Sequence, residues 1–393
     1  MALLTTWVNG HLGFTLNTVG TFIPAAFIIK EAIPEKPIAE TWVTVVTGAG
    51  GDLKDAGGVF PDVAFWDDNG KRIGRYRTKL GDKIAQSSER TVKIPNNEND
   101  GTISDPQYIM LSHDTDATCV AMVQVSNGRL SGTVYGDTGY KCGQAWYHSQ
   151  RKFKGDNLMS KCVWLDSDHS HPNFNARAMS FHLRDMLPSP DKLKLYNSEP
   201  AYLCKSTPRY SFWKHLIPDG IVPFFYPVLK YNNHSLNPKL EGTNENPIDA
   251  LDRFKYNKDV YVQQSESEKE YRRRRRARST RPNKRQGSNM DPDHLVLTEI
   301  PGQTAREICE HPNSVGYDIV SFVDGKYCDL TKRSVGTAKA DKELYDLCVG
   351  TIMANCFDVN STTVIGAQGL VGRREGFASG ASAKSYKTRA HWK

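Results

Sequence analysis

The chain has 393 residues, of which 38% are hydrophobic and 10% aromatic. It contains no run of 18 apolar residues and has enough apolar side chains to build a core, so the sequence excludes a transmembrane helix and a wholly disordered chain. The formal net charge of +7 includes nine uncompensated positive charges in residues 271–285, and the rest of the chain carries −2. This balance gives no reason to expect a broad basic face for nucleic acid.

Changes in composition along the chain predict several segments of different character. In chain order we expect an atypical leader or pro-segment (1–39), a β-sandwich domain (40–215), an irregular packed extension (216–262), a basic processing linker (263–290), a small α/β disulfide-bonded domain (291–365) and a loose tail (366–393). The predicted fold class is therefore mainly β, with an antiparallel β-sandwich followed by a small disulfide-bonded α/β segment.

The first 39 residues do not have the order of a regular signal peptide. The first lysine is Lys30, and the apolar stretch 14–29 is interrupted by Asn17, Gly20 and Pro24. A signal peptide normally begins with basic residues and continues into an unbroken apolar region. We therefore interpret this start as an unusual leader or pro-segment.

Residues 40–166 alternate between β-branched or aromatic clusters and Gly, Asn or Asp. The predicted strands are 42–47, 59–66, 71–77, 91–94, 108–111, 119–125, 130–135 and 161–165. Asp68-Asn69-Gly70 and Ser126-Asn127-Gly128 carry the residues that tight hairpin turns need. Many short strands with turn signals at this spacing are typical of an antiparallel sandwich or barrel.

Two stretches of this region carry distinctive residue patterns. Residues 44–53 resemble a dinucleotide fingerprint, but the third glycine position holds Leu53 and no amphipathic helix follows, so we predict a glycine-rich loop between strands. Residues 136–147 combine a turn with Cys142 and an aromatic pair. We interpret Cys142 as a disulfide anchor with Trp146 packing beside it.

An acidic and histidine-rich cluster follows the last of these strands. It consists of Asp166, Asp168, His169 and His171. Carboxylates and imidazoles this close together are weak candidates for acid-base catalysis, and Asp166, Asp168 and His169 are weak candidates for a metal site. We favour the alternative of an Asx-rich turn, and the sequence predicts no cofactor.

The second half of the chain gives mixed signals. Residues 175–184 fit a short helix or a strand, and 187–247 read as long packed loops whose aromatic-rich part could contact a protein or glycan. Beyond the basic linker we predict strands at 293–298, 316–323 and 326–329, and helices at 304–311 and 341–355.

The eight cysteines divide evenly about the basic run. Four precede it and four follow it, and none has the Cys-x-x-Cys spacing of a zinc site. We therefore predict at least three disulfides formed in an oxidising compartment. The candidates are Cys119, Cys142, Cys162, Cys204, Cys309, Cys328, Cys348 and Cys356.

The basic run itself is the strongest motif. Subtilisin-like processing proteases cut after Arg in exposed, basic segments, and the candidate residues here are Arg275, Arg276, Arg278, Lys284 and Arg285. We predict cleavage by a Kex2/furin-like processing protease. The alternative is that residues 272–285 form a nuclear-import signal or an RNA-binding patch, which would bind in a salt-dependent way.

Two Asn-x-Ser/Thr triplets agree with secretion. They place candidate glycosylation sites at Asn233 and Asn360. Together with the cysteines, they predict an extracellular protein without a membrane span.

A family resemblance adds to this interpretation. Residues 116–121, 136–149 and 162–166, together with the basic run before Asp291-Pro-Asp-His-Leu295, resemble a group of secreted, cysteine-containing proteins of filamentous fungi. The resemblance implies secretion and Kex2-type maturation and carries over no catalytic residue.

These observations predict a secreted, processed fungal effector or toxin-like factor that acts by binding a host protein or glycan rather than by catalysis. The open alternatives are a secreted hydrolase that uses Asp166, Asp168 and His169, and a nuclear or RNA-binding protein that uses the arginine run.

Overall fold

The computed structural model describes residues 13–16, 22–25, 39–53, 56–79, 81–114, 116–127, 131–153, 159–171, 173–187, 189–233, 241–245, 289–339, 356–359, 363–365, 384 and 386–393. The chain divides into two compact units. Unit 1 comprises Met1–Gln144, His148–Ser170 and Phe174–Asn283, and unit 2 comprises Ala145–Tyr147, His171–Asn173 and Lys284–Lys393.

The first half of unit 1 is built almost entirely of strands. They are β1 (Gly13–Leu16), β2 (Phe22–Ala25), β3 (Glu40–Thr47), β4 (Gly58–Val59), β5 (Asp62–Trp66), β6 (Arg72–Tyr76), β7 (Lys83–Ile84), β8 (Glu89–Pro95), β9 (Tyr108–Ser112), β10 (Thr118–Ser126) and β11 (Ser131–Tyr135). The short helix α1 (Gly136–Lys141) follows β11, and β12 (Trp146–Tyr147) then belongs to unit 2.

The second half of unit 1 mixes strands with short helices. The strands are β13 (Cys162–Leu165), β14 (Ala178–His182), β15 (Tyr210–Trp213), β16 (Tyr231–Asn233) and β17 (Glu241–Asn244). The helices are a 3-10 turn (Leu183–Met186), α2 (Pro190–Ser198) and α3 (Ala201–Cys204).

Two antiparallel sheets form the predicted sandwich. In the first, β13, β10, β3 and β8 are neighbours in that order, and β11 also pairs with β10. In the second, the order is β15-β14-β9-β5-β6. The sheets approach closely at Gly74 of β6, where an added Cβ would lie 2.4 Å from the carbonyl oxygen of Pro95 in β8. A side chain at this position would force the two backbones apart.

The strands and hairpins predicted for residues 40–166 are confirmed. Each predicted strand overlaps an observed one, with 59–66 divided into β4 and β5. Gly70 has φ +77° in the turn between β5 and β6, a conformation that glycine adopts at little cost. Ser126 and Ser131 pair across the second hairpin. The glycine-rich loop also follows β3 as expected, and Gly48 packs under the Cys162 side chain.

The structure differs from the prediction where local signals were weak. Residues 187–247, predicted as long loops, contain α2, α3, β15, β16 and β17, and the predicted turn at 136–147 contains α1. The start of α2 has a local cause, because the Ser189 hydroxyl accepts a hydrogen bond from the Lys192 backbone N–H and Pro190 occupies the first turn. The ambiguous stretch 175–184 forms β14 and the start of the 3-10 turn.

Unit 2 contains a mixed sheet with one described helix against it. Its remaining strands are β18 (His294–Thr298), β19 (Asp318–Ser321), β20 (Lys326–Asp329), β21 (Ser334–Lys339), β22 (Cys356–Asp358), β23 (Thr363–Ile365) and β24 (Thr388–Trp392), and the helix is α4 (Ala305–Glu310). The sheet order is β23-β22-β21-β20-β19-β18-β24. β18 pairs in parallel with both β19 and β24.

The predicted α/β character of unit 2 is therefore confirmed, including the strands at 293–298, 316–323 and 326–329 and the helix at 304–311. The end of the chain requires a correction, because Thr388–Trp392 is a sheet strand with a fully buried Trp392 rather than part of a loose tail. The predicted helix at 341–355 lies outside the described residues.

Three disulfides are present in the described residues, as the cysteine count predicts. Cys119–Cys162 joins the neighbouring strands β10 and β13, and Cys142–Cys204 joins the end of α1 to α3. In unit 2, Cys309–Cys328 joins α4 to β20. Cys348 and the side chain of Cys356 lie outside the described residues.

Candidate functional site

The acidic and histidine-rich cluster after β13 has the geometry of a turn. Both carboxylate oxygens of the buried Asp166 accept hydrogen bonds from its own loop, one from the Asp168 backbone N–H at 3.3 Å and the other from the Ser170 N–H and hydroxyl at 2.6 and 2.9 Å. His169 Nδ1 lies 2.7 Å from the Phe174 carbonyl oxygen. His171 belongs to unit 2, where its Nδ1 accepts a hydrogen bond from the Asn173 backbone N–H.

This arrangement favours the Asx-turn interpretation of the cluster, because the loop backbone already uses both Asp166 oxygens. No group of three or more His, Cys, Asp or Glu residues suitable for a metal ion occurs in the part of the chain that the structure describes.

The other predicted modification sites lie largely outside the described residues. This applies to the whole basic run, including Arg275, Arg276, Arg278, Lys284 and Arg285, and to Asn360. The backbone of Asn233 is described and pairs with Glu241 between β16 and β17. Processing and glycosylation therefore stay predictions.

A second group of ionisable side chains, which the sequence analysis missed, lies in unit 1; four of its members are buried, and Asp68 and Tyr231 are partly buried. It consists of Asp68, His182, Asp185, Lys192, Arg209 and Tyr231, which we call the buried charge cluster. His182 ends β14, Asp185 lies in the following 3-10 turn, Lys192 lies in α2, Arg209 precedes β15 and Tyr231 begins β16. Asp68 lies in the hairpin turn between β5 and β6.

Asp185 is the centre of this cluster. Its Oδ2 lies 3.0 Å from the Arg209 Nε and 3.0 Å from the His182 Nδ1. Its Oδ1 accepts a hydrogen bond from the Tyr231 hydroxyl at 2.8 Å. Burial would raise the pKa of Asp185, but the positive charges of Arg209, His182 and Lys192 outweigh it and hold this pKa well below its usual range. The carboxylate therefore stays ionised in the interior.

His182 lies between two carboxylates. Its Nε2 is 3.7 Å from the Asp68 Oδ1, on the side opposite Asp185. Burial alone would lower the pKa of His182, but the hydrogen bond to Asp185 and the negative charges of Asp185 and Asp68 raise it above its ordinary value. Burial likewise opposes ionisation of Asp68, yet the contact with His182 lowers the pKa of that carboxyl. The geometry therefore favours a protonated, doubly paired His182.

The cluster lies directly behind an exposed apolar loop. This apolar loop, Ile221–Val228, exposes Ile221, Tyr226 and Val228, with Tyr226 79% accessible. Its inner residue Phe225 is buried, contacts the His182 ring at 5.8 Å, and donates its backbone N–H to the Tyr108 hydroxyl. The buried charge cluster thus supports the inner side of a loop whose outer side presents apolar groups to solvent.

A basic strand adjoins this loop. Asp219, which lies two residues before Ile221, pairs with three arginines. These are Arg72 and Arg75 of β6 and Arg77, which directly follows β6. Arg72 and Arg75 also pair with Glu98. Three guanidinium groups therefore lie together on this edge, around the carboxylates of Asp219 and Glu98. We call the apolar loop and these arginines together the loop face.

The sequence contains a signal for part of this face but not for the cluster. The apolar loop lies in the aromatic-rich part of residues 187–247, which was predicted to contact a protein or glycan. The cluster combines residues from Asp68 to Tyr231 that no local spacing brings together. The sheet order β15-β14-β9-β5 brings together the turn that holds Asp68, the end of β14 that holds His182 and the start of β15 beside Arg209.

Comparisons with known proteins assign no family to this chain: no family model and no curated protein matches it. The resemblance to secreted fungal proteins therefore stays a prediction. Among the residues that the structure describes, no helix is long and apolar enough to cross a membrane.

Proposed function

We propose that the protein is an extracellular factor, matured by cleavage in residues 271–285, that acts by binding a partner protein through the loop face. The observation that carries the binding proposal is the apolar loop, where three of eight consecutive residues are exposed apolar side chains. Apolar groups concentrated on one supported loop are typical of a protein-binding surface.

The chemistry of the loop face favours a protein over a glycan. Ile221 and Val228 are aliphatic and offer no polar group to sugar hydroxyls, whereas they suit an apolar pocket on a protein. The guanidinium groups of Arg72, Arg75 and Arg77 favour acidic residues around that pocket. The partner would therefore present an apolar depression with an acidic rim.

The disulfides support the extracellular part of the proposal. Such crosslinks persist in oxidising compartments and are rare in the cytosol and nucleus, where the alternative of a nuclear or RNA-binding protein would place the chain. The Asx-turn geometry of Asp166 likewise gives no support to the hydrolase alternative.

Intact mass measurement tests compartment and processing together. The full chain would be produced in a filamentous fungal host, and the protein from medium and from cells would be compared with and without reduction. We expect two fragments in the medium that end near Arg278 or Arg285, with six hydrogens fewer before reduction from the described disulfides, or eight if Cys348 and Cys356 also pair. A single intracellular chain with free thiols would contradict the proposal.

Paired variants test the loop face. The double substitution Ile221→Ser and Tyr226→Ser should abolish photo-crosslinking of the labelled protein to target-cell surfaces. It should change the free energy of unfolding by about 1 kcal/mol or less, because both side chains are exposed.

The matched control is Phe322→Ser with Val323→Ser, two exposed apolar residues of unit 2. Crosslinking should be retained in this control. Equal loss in both double variants would show non-specific apolar adhesion, and loss on deglycosylation of the target cells would point to a glycan; both outcomes contradict a specific protein partner.

A further inference from the structure

The core of unit 2 includes a piece of chain that precedes the basic run. Unit 2 contains Ala145–Tyr147, which we call the inserted segment, although the rest of the unit comes almost entirely from residues after the processing sites. Both aromatic side chains of the inserted segment, Trp146 and Tyr147, are completely buried.

The inserted segment forms backbone hydrogen bonds like those of a sheet strand. The Trp146 N–H donates to the Asn313 carbonyl oxygen at 3.1 Å, and its own carbonyl oxygen accepts from the Val315 N–H at 2.9 Å. Trp146 and Ser314 form a parallel bridge between these two bonds. The 311–314 stretch is itself held by Arg333, whose guanidinium donates to the His311 and Ser314 carbonyl oxygens.

The two aromatic side chains add specific contacts. The indole Nε1–H of Trp146 donates to His311 Nδ1 at 2.9 Å, and the Tyr147 hydroxyl donates to the Tyr317 carbonyl oxygen at 2.8 Å. The Tyr147 ring also contacts the ring of Trp392, the buried residue of β24, at a centroid distance of 6.3 Å.

Gly316 leaves the space that the Tyr147 ring of the inserted segment occupies. A Cβ at this position would lie 2.2 Å from the Tyr147 ring, so only glycine lets the ring approach the backbone here. The contact therefore depends on complementary residues on both sides of the basic run.

No described disulfide crosses the basic run. Cys119–Cys162 and Cys142–Cys204 lie before it, and Cys309–Cys328 lies after it. The two remaining cysteines, Cys348 and Cys356, also follow it. Cleavage at Arg278 or Arg285 would therefore leave two chains without a disulfide between them.

We infer that the N-terminal product of processing stays bound to the C-terminal product through the inserted segment, so that the mature protein is a non-covalent two-chain complex. The binding partner of the C-terminal product is thus the N-terminal product of the same precursor, which supplies two buried aromatic residues of unit 2. The inference rests on the processing step of the proposed function.

Cleavage of the purified full chain tests this association. Furin would be used to cut the basic run, and the product would be analysed by non-reducing denaturing electrophoresis and by native mass spectrometry. We expect two separate bands under denaturing conditions and one complex under native conditions. Separate fragments in the native spectrum, or a single band that separates into two only after reduction, would overturn the inference.

Variants assign the association to the inserted segment. Tyr147→Ala should raise the dissociation constant of the cleaved complex by at least about 100-fold, since it removes a fully buried aromatic side chain. Tyr147→Phe, which removes only the hydroxyl, should retain most of the affinity and covers the case in which Tyr147→Ala does not fold. Ile103→Ala, at an exposed apolar residue of unit 1 that lies outside the loop face, is the control and should leave the complex intact.

A second form of the experiment separates the two proposals. If furin does not cut the chain, the processing step of the proposed function fails. The association can still be tested with a variant in which the recognition site of a sequence-specific viral protease replaces residues 275–278. Dissociation after that cut would overturn the inference about the inserted segment whatever the natural processing is.

Discussion

Each compact unit buries a carboxylate beside cationic side chains, and the two carboxylates respond in opposite ways. The pKa of Asp185 in unit 1 is lowered, whereas the pKa of Asp318 in unit 2 is raised. Burial is the largest influence on both groups and acts in the same direction. The difference therefore arises from the neighbouring charges.

The surroundings of Asp318 supply less positive charge. It accepts hydrogen bonds from the Asn289 side-chain amide, the Leu330 N–H and the Tyr386 hydroxyl, all of which are neutral donors. Among the described residues, its cationic partner is Lys384, which it shares with the carboxylate of Asp329. By contrast, Arg209, His182 and Lys192 all act on Asp185. Neutral hydrogen bonds satisfy a buried carboxylate, but two or more cations are needed here to keep it strongly acidic.

The largest expected effect comes from removing the better-compensated charge. Asp185→Asn should lower the free energy of unfolding by about 3–5 kcal/mol, because Arg209 and Lys192 would remain buried without their counter-charge. Urea denaturation followed by tryptophan fluorescence would measure the change. Asp191→Asn, an exposed carboxylate in the first turn of α2, is the control and should cost about 1 kcal/mol or less. Equal stability of Asp185→Asn and the natural protein would contradict the role given to the cluster.

A smaller effect is expected in unit 2. Lys384→Met should lower stability at pH 7 by about 2 kcal/mol, since Asp318 would lose its charged hydrogen bond. The raised pKa of Asp318 means that the folded state takes up a proton more readily than the unfolded state, so this loss should shrink as the pH falls toward 5. Lys332→Met removes an exposed lysine near Asp329 and should cost about 1 kcal/mol or less at either pH. A loss that does not depend on pH would show that Lys384 acts only by packing.

The smallest expected effect concerns the protonation of two buried histidines of unit 1, His182 and His113. The pKa of His182 is raised by Asp185 and Asp68 against the effect of burial, whereas burial lowers the pKa of His113, which lies against the Thr118 hydroxyl and the Asp114 carbonyl oxygen. In an NMR titration we expect His182 to be charged and His113 neutral at pH 6.5.

The signs of their stability contributions are opposite. His182 contributes stability that is fully present below pH 6.5 and is lost as the pH rises through its folded pKa, by at most about 1.4 kcal/mol per pH unit. His113 disfavours the folded state as the pH falls below 6.5. His182→Gln should therefore flatten the stability profile above pH 6.5, and an unchanged profile would show that His182 is neutral in the folded protein.

The sequence allowed prediction of most of the strands but little of the site. Turn residues such as Asn69-Gly70 and runs such as Val43–Val46 are local signals, so the hairpins and sheet strands could be recognised. The helix α1 could not, because Gly136 and Gly139 have low helix propensity. Their presence has a tertiary cause, since a Cβ at Gly136 would lie 2.1 Å from the Lys161 carbonyl oxygen and one at Gly139 would meet Val163.

The candidate site was less predictable because its members are far apart in sequence. Asp68 belongs to a recognisable turn motif, but no local signal shows that it and Tyr231 meet His182 in the folded chain. The conspicuous cluster at Asp166 has a local explanation instead. Cysteine number predicted the disulfides, but their pairing depends on which strands become neighbours, as for Cys119 and Cys162 on β10 and β13.

The inserted segment is made long before the residues that it contacts in unit 2. Trp146 and its partner His311 are separated by 165 residues. At the usual rate of about 5–20 residues per second, a ribosome needs roughly 8–33 s to make the intervening chain. During that interval, Trp146 and Tyr147 lack the residues of unit 2 that enclose them in the folded protein. The strands that precede them can already pair. Trp146 and Tyr147 can therefore reach their folded surroundings only after residues 311–317 have been made.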